Sequence, residues 1–348
     1  MKLIVYIILF FSVGCLKQSE PAVSEKMIYI YPTSDYVYDL ELQGDTLYVA
    51  NGESGIKVFK IKSGGSMSMD SLYEGVAFSE EENIINIEFS EVSGILFALD
   101  KFNYTYAITK SAIFDLGSSF MKGISDCSRY QSKSTILSNI STPEILTLYR
   151  KIDQFDENNK STSIGKVGFS DDFFFIGEDC SDDLLIDLNY GLTDIDFNND
   201  RLYLSNANKD IPSIQIYNIN GEAFSFAFED TLVDSPNTIS AYENSYVVGL
   251  NNKAGCYIAL LDENGDIDGK FHIANSFTIR DVHFSNNLLV LSAGYGGVLV
   301  YDWDGESTPI ARAMISTAYA YSTFVLNHEN IVNHIIVGTR NGIEIYEI

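Results

Sequence analysis

The chain has 348 residues, 46% hydrophobic and 13% aromatic, with 48 acidic and 22 basic side chains and a net charge of −26. This apolar content excludes an intrinsically disordered chain, which pairs high charge with low hydrophobicity. The acidity, with no basic cluster, excludes nucleic acid as a partner, because phosphates are bound by displacing counterions with Lys and Arg.

In chain order, the first element is "MKLIVYIILFFSVGC". One Lys precedes nine apolar residues, Leu3 to Phe11, and small residues lead to Cys15. The run is too short for a stable membrane span but fits the core of a signal segment. The stretch resembles a bacterial lipoprotein signal. Gly14-Cys15 matches its obligatory ending, while Ser12 stands where Leu is preferred. The resemblance implies cleavage after residue 14, lipidation of Cys15 and attachment to the cell envelope. Two or more acyl chains, each CH₂ contributing roughly 0.8 kcal/mol, hold a protein on a membrane far more firmly than one. Residues 15–26 then form a polar tether, and Leu16 in place of Asp favours the outer membrane by resemblance to sorting rules of such proteins.

Next comes a strand, "KMIYIYPT" (26–33), followed by "YVYDLELQGDTLYVANGESGIKVFKI" (36–61). The latter reads as strand, polar turn, strand, Gly/Asn connection and strand. Echoes begin at 82, 190, 237, 277 and 320. Aligning Asp39, Asn86, Asp194, Ile239, Asp281 and about Thr323 gives a period in the forties, and the gap between Asn86 and Asp194 leaves room for one degenerate unit within 125–190. Fourth strands are expected at 70–78, 269–274 and 309–315. Units of this size and content predict an all-β chain: a β-propeller of four-stranded antiparallel blades in one domain, 27–348. Seven blades are expected, with six plus an elaborated insertion near 110–190 as the alternative. The last unit supplies three strands, so 26–33 is expected to complete it and close the ring. That leaves no open sheet edge and favours a monomer. The best units, "YDLELQGDTLYVANGESGIKVFKI" and "RDVHFSNNLLVLSAGYGGVLVYDW", resemble LVIVD repeats of bacterial and archaeal envelope proteins. That resemblance implies an architecture and no particular activity.

Four features bear on chemistry. Cys127 and Cys180 bracket the irregular region, in a compartment where disulfides persist, and a bridge between them would stabilise by on the order of 4 kcal/mol. Free thiols are the alternative, and Cys256 reads as a small core residue. Asp39, Asp194 and Asp281 open equivalent strands near the mouth of a propeller's central channel. There they either bind backbone N–H groups or gather a cation. "LDENGDIDGKF" (261–271) mimics the start of a calcium loop through Asn264, Asp266, Asp268 and Gly269, but Asn275 stands where a bidentate Glu belongs, which favours a plain turn. The histidines His272, His283, His328 and His334 show no ligand spacing, nucleotide and nucleophile motifs are missing, and a lone Trp303 argues against Trp-rich quinoprotein propellers.

No cofactor is therefore expected, a bound calcium ion being the one exception considered. The expected role is a lipid-anchored, non-enzymatic binding or scaffold module for a protein or glycan partner, using loops on a rigid scaffold. The alternative is an envelope hydrolase or lyase working through channel-mouth carboxylates, whose separation a sequence does not reveal.

Overall fold

The computed structural model describes residues 26–62, 67–69, 83–90, 95–101, 105–108, 113–115, 129–137, 144–152, 160–170, 173–175, 184–188, 192–208, 210–220, 223–285, 287–326 and 334–348. All regular elements among them are strands. A lone strand, β1 (Lys26–Pro32), is followed by β2 (Asp39–Gln43), β3 (Thr46–Ala50), β4 (Ile56–Ile61) and β5 (Met67–Met69). Next come β6 (Ile84–Ser90), β7 (Ile95–Asp100), β8 (Thr105–Ile108) and β9 (Ile113–Asp115). The middle of the chain holds β10 (Arg129–Leu137), β11 (Glu144–Ile152), β12 (Lys160–Ser170), β13 (Phe173–Phe175) and β14 (Leu184–Leu188). Then follow β15 (Leu192–Asn198), β16 (Arg201–Asn206), β17 (Ser213–Asn220) and β18 (Ala223–Thr231). After them lie β19 (Pro236–Tyr242), β20 (Ser245–Leu250), β21 (Cys256–Leu261) and β22 (Ile267–Ile273). The chain finishes with β23 (Asp281–Ser285), β24 (Leu288–Ser292), β25 (Val298–Asp302), β26 (Ile310–Ile315), β27 (Ala320–Leu326), β28 (His334–Thr339) and β29 (Gly342–Glu347).

Five sheets are antiparallel meanders of four consecutive strands. A sixth is ordered β1-β29-β28-β27, so the strand read at 26–33 lies beside the last strand of the chain. The expected fourth strands at 269–274 and 309–315 appear as β22 and β26, whereas 70–78 lies outside the described residues. The degenerate unit departs from a four-stranded sheet. Its eleven-residue β12 takes β13 along Gly168–Ser170 and β14 along Thr162–Gly165, so two short strands share one long edge. Short hairpins set the registers. Asn199 and Asp200 both have positive φ (49° and 57°), which gives the type I′ twist that joins β15 to β16 without splaying them.

Burial grades along each sheet. The second strands β3, β20, β24 and β28 are buried at every position, while the outer strand β22 alternates. Residues in the second strand are covered on both faces by neighbouring sheets, which is why they read as unbroken apolar runs such as "LLVLS". Core clusters straddle adjacent sheets, and one joins the ends of the chain: Leu40, Leu47, Val49 and Phe59 pack with Leu326, Ile336, Ile343 and Ile345.

First strands neighbour one another in chain order: β2 with β6, β6 with β10, β10 with β15, β15 with β19, β19 with β23, β23 with β27, and β27 with β2. A repeated backbone bond marks the seams. Ile84 N–H donates to Gly52, Ile279 N–H to Leu250, and Ala320 N–H to Gly294, in each case from the entry of a first strand to a residue at or just past the end of the preceding second strand. Val37 N–H donates to Thr339 in the same way, at 3.1 Å, across the seam between the chain's two ends.

Candidate recognition face

Asp39, Asp194 and Asp281 lie where their first strands begin, and each reaches across a seam. Oδ2 of Asp39 accepts from Ile87 N–H (3.0 Å) and Asn86 Nδ2 (2.7 Å), Oδ2 of Asp194 from Ile239 N–H (2.9 Å), and Oδ2 of Asp281 from Thr323 N–H (2.9 Å). Oδ1 of Asp39 and of Asp194 also accepts the next residue's N–H on its own strand, at 2.9 and 2.7 Å. Asp194 is fully buried, so its bonds are made away from competing water. The three carboxylates therefore tie neighbouring first strands together, and their recurrence reflects the recurrence of the seam. Asp196 repeats the device lower down, accepting from Ala241 N–H at 2.7 Å, a residue the sequence reading did not single out.

The seam bonds also correct the alignment. The bonded N–H follows the anchor residue by one, so Asn86 precedes Ile87 as expected, but the counterparts of Asp39 are Thr238 and Ser322, not Ile239 and Thr323. Both units carry a bulge at the entry to the first strand, between Pro236 and Thr238 and between Ala320 and Ser322, and so do the units of Asn86 and Asp194, between Ile84 and Asn86 and between Leu192 and Asp194. What hides the equivalence is residue type: Thr238 and Ser322 stand where the other units carry Asp or Asn.

At the same end of the sheets lies a cluster that sequence reading missed. Tyr36 and Tyr38 precede β2, Tyr319 precedes β27, Tyr321 lies at its start, Tyr295 sits between β24 and β25, and Arg340 between β28 and β29. Ring centroids are 6.0 Å apart for Tyr36–Tyr321, 5.0 Å for Tyr38–Tyr321, 4.5 Å for Tyr319–Tyr321 and 4.8 Å for Tyr295–Tyr319. The Arg340 guanidinium lies 4.5 Å from the Tyr319 ring and 5.0 Å from that of Tyr295. Its Nη1 donates to the Tyr295 hydroxyl (2.8 Å) and its Nε to that of Tyr321 (3.3 Å). Burial, with Tyr321 and Asp35 nearby, raises the Tyr38 phenol above its usual range. The platform spans three sheets and is open to solvent: Tyr295 is 75% exposed and Tyr36 40%. Gly294 is required beneath it, since it has φ +58° and a Cβ there would come within 3.1 Å of the Tyr319 ring. The available signal was the pair "YVY" and "YAY", each set at the entry to a first strand, where alternation buries Val37 and Ala320 and leaves the flanking tyrosines more exposed.

The remaining candidates are structural or lie elsewhere. Asp262 Oδ1 accepts N–H bonds from Asn264 and Asp266 (2.8 and 2.9 Å), which makes 261–271 a self-capped hairpin turn. Buried Asp230 takes hydrogen bonds from Tyr246 (2.6 Å), Tyr257 and Lys270 (2.6 Å), enough donors to make its burial tolerable. Trp303 is buried, edge-on to Phe284, with its indole N–H on Ser307 O at 2.8 Å. Cys256 is buried, and its thiol is pushed well above its usual pKa. Cys15, Cys127, Cys180 and His328 lie outside the described residues. Among the described residues, no group of three or more His, Cys, Asp or Glu is placed to hold a metal ion.

His283 is enclosed between first strands, its ring 4.3 Å from Phe324, and its Nε2 has no hydrogen-bond partner among the described residues. Desolvation lowers its pKa to about 4. The folded value lies below the unfolded one, about 6.5, so the unfolded chain takes up the proton first and stability falls as pH drops from 6.5 towards 4. Between pH 7 and 5 this group should cost about 2 kcal/mol. Urea unfolding at the two pH values should show that loss in the wild type and less of it in His283→Phe. Equal losses would refute the assignment.

No family model matches the chain, and no curated protein matches it. Solved structures do. Saccharomyces cerevisiae Sqt1 aligns with a TM-score of 0.60 at 11% identity, covering 94% of this chain and 100% of that one. The computationally designed protein Ika8 aligns at 0.56 and 10% identity, over 93% of this chain and 100% of its own. The WD40 β-propeller domain of Doa1 aligns at 0.56 and 11%, over 93% of this chain and 97% of that domain. At these identities the likeness concerns fold alone. The chain is an all-β protein of the β-propeller class.

Proposed function

We propose that this chain is a lipid-anchored β-propeller of seven blades, closed by β1, that acts in the bacterial cell envelope as a non-enzymatic binding module. Closure is supported by the neighbour relation of β27 and β2 and by the Val37–Thr339 bond, which repeats the seam found between other sheets. The observation that carries the functional reading is the exposed Tyr–Arg platform, since tyrosine and arginine concentrate binding energy at recognition surfaces. The carboxylates required by a hydrolase or lyase reading are committed to backbone N–H groups, which favours binding over catalysis.

The path of β1 gives the anchor a direction. Lys26 pairs with Glu347 and Pro32 with Gly342, so the chain enters its sheet at the end remote from Arg340, about 17 Å away at 3.4 Å per residue. A tether leading to a lipidated Cys15 would thus leave from the face opposite the platform, which turns the tyrosines away from the membrane. The wild type should partition into detergent in a phase-separation assay and incorporate labelled palmitate, and Cys15→Ser should do neither. Aqueous partitioning of both would remove the anchor. On lipid vesicles, a fluorophore at Asp45 should be quenched by spin-labelled lipid more strongly than one at Tyr295, and the reverse order would overturn the orientation.

A further inference from the structure

We propose that the Tyr–Arg face takes a polypeptide partner that is basic overall and sets one carboxylate on Arg340; this rests on the platform being the recognition surface. Guanidinium has five N–H donors. Arg340 directs one from Nε and one from Nη1 at tyrosine hydroxyls, which leaves the second on Nη1 and both on Nη2. Tyr319 and Tyr295 hold the group in place from the side. Among the described residues no carboxylate pairs with it, although the chain carries 48 acidic residues. A caged guanidinium that keeps an outer edge of parallel donors is matched by a carboxylate accepting two bonds side by side.

The surroundings specify the rest of the partner. The hydroxyls of Tyr36, Tyr38 and Tyr319 make no hydrogen bond among the described residues, and polar tips on exposed rings suit the amide groups of a peptide backbone. Asp35 and Glu53 border Tyr38, Asp35 holding the Glu53 N–H at 2.7 Å, and the whole chain carries −26. Such a field speeds the approach of basic proteins. Arg340 then rejects a lysine or arginine at the centre by like charge, so the accepted pattern is a carboxylate within a basic surround.

The test uses phage-displayed random 12-residue peptides selected at low salt on the full chain in detergent. Enriched peptides should share one Asp or Glu among Lys and Arg. Replacing that acid by its amide, or Arg340→Gln, should each weaken binding by about tenfold or more, and both together by no more than either alone. Arg340→Lys should restore only part, because an ammonium does not offer paired parallel donors. Should Arg340→Gln misfold, the peptide's amide variant and Tyr295→Ala still decide the matter. Peptides that need Tyr295 but neither an acid nor Arg340 would overturn the carboxylate while leaving the recognition face intact. Capture of a polygalacturonate oligosaccharide in place of any peptide, lost in Tyr295→Ala, would overturn the polypeptide and keep the face. Absence of peptides and oligosaccharide alike, or binding indifferent to Tyr295→Ala, would overturn both.

Discussion

Removal of residues 26–32 should abolish cooperative folding of the chain, or lower its thermal midpoint by more than about 10 °C and drive it to aggregate. These residues form the outer strand of the sheet made by the last three strands. Their loss exposes the backbone donors and acceptors of β29 from Gly342 to Glu347, an open edge ready to pair with other chains. Packing is lost as well: Ile28 and Tyr31 lie against the core shared by the first and last sheets, with the Tyr31 and Phe59 rings 6.3 Å apart. At about 1 kcal/mol net per ladder bond, with a smaller addition from these two half-buried side chains, the total is on the order of 5 kcal/mol. Whole-protein stabilities run from about 5 to 15 kcal/mol, so the deletion should consume much of what is present. Gly342→Ala attacks the same contact by a point change. Gly342 has φ +122°, and a Cβ there would stand 2.2 Å from the Tyr31 carbonyl oxygen, so either β1 or the turn must move. A synthetic peptide spanning 26–33, added to the shortened chain, should restore part of the lost midpoint. A shortened chain that melts like the wild type would show that β1 does not secure the fold.

Much of this architecture is legible in the sequence because inner strands advertise themselves. "TLYVA", "LLVLS" and "HIIVGT" are buried at every position and read as apolar runs ended by Gly, Asn or a polar turn. Outer strands are harder to read. The register of "IDGKFHI" can be seen from its alternation, but β1 shows an irregular surface pattern and is recognised only because the last unit lacks a fourth strand. The middle of the chain resists for a different reason: its long β12 accepts two short partners, so strand count and blade count part company there. The role of the aspartates could be narrowed to two options but not decided. Whether Asp194 meets a cation or the N–H of Ile239 depends on a contact 45 residues away, in a unit whose own anchor is Thr238 and not an acid. The platform was missed because its parts belong to three sheets. Nothing local in "GTRNG" indicates that Arg340 sits above Tyr319 and beside Tyr295.

The seam aspartates give the second large effect. Asp194→Ala should destabilise the protein by about 2–5 kcal/mol, because two N–H groups in buried surroundings, those of Ile195 and Ile239, lose their acceptor and each unmet group costs about 1–3 kcal/mol. Asp194→Asn keeps one oxygen but points an amide N–H₂ where an acceptor is needed, so it should recover only part of the loss. Asp281→Ala, whose partner Thr323 N–H lies in a less buried seam, should cost less. Urea midpoints measured in calcium and in EDTA separate the two meanings of a repeated carboxylate. A strand tie predicts the same loss in both, since the partner is backbone and needs no ion. A cation site predicts a wild type that is stabilised by calcium and variants that differ from it only when calcium is present. The geometry argues for the tie: every acceptor distance from these carboxylates to a backbone N–H falls between 2.7 and 3.0 Å, and each crosses to the adjacent first strand or caps its own. An Asp194→Ala variant that unfolds within about 1 °C of the wild type in EDTA would mean that the seam is held by side-chain packing instead, and that the recurrence of aspartate at these positions serves a ligand.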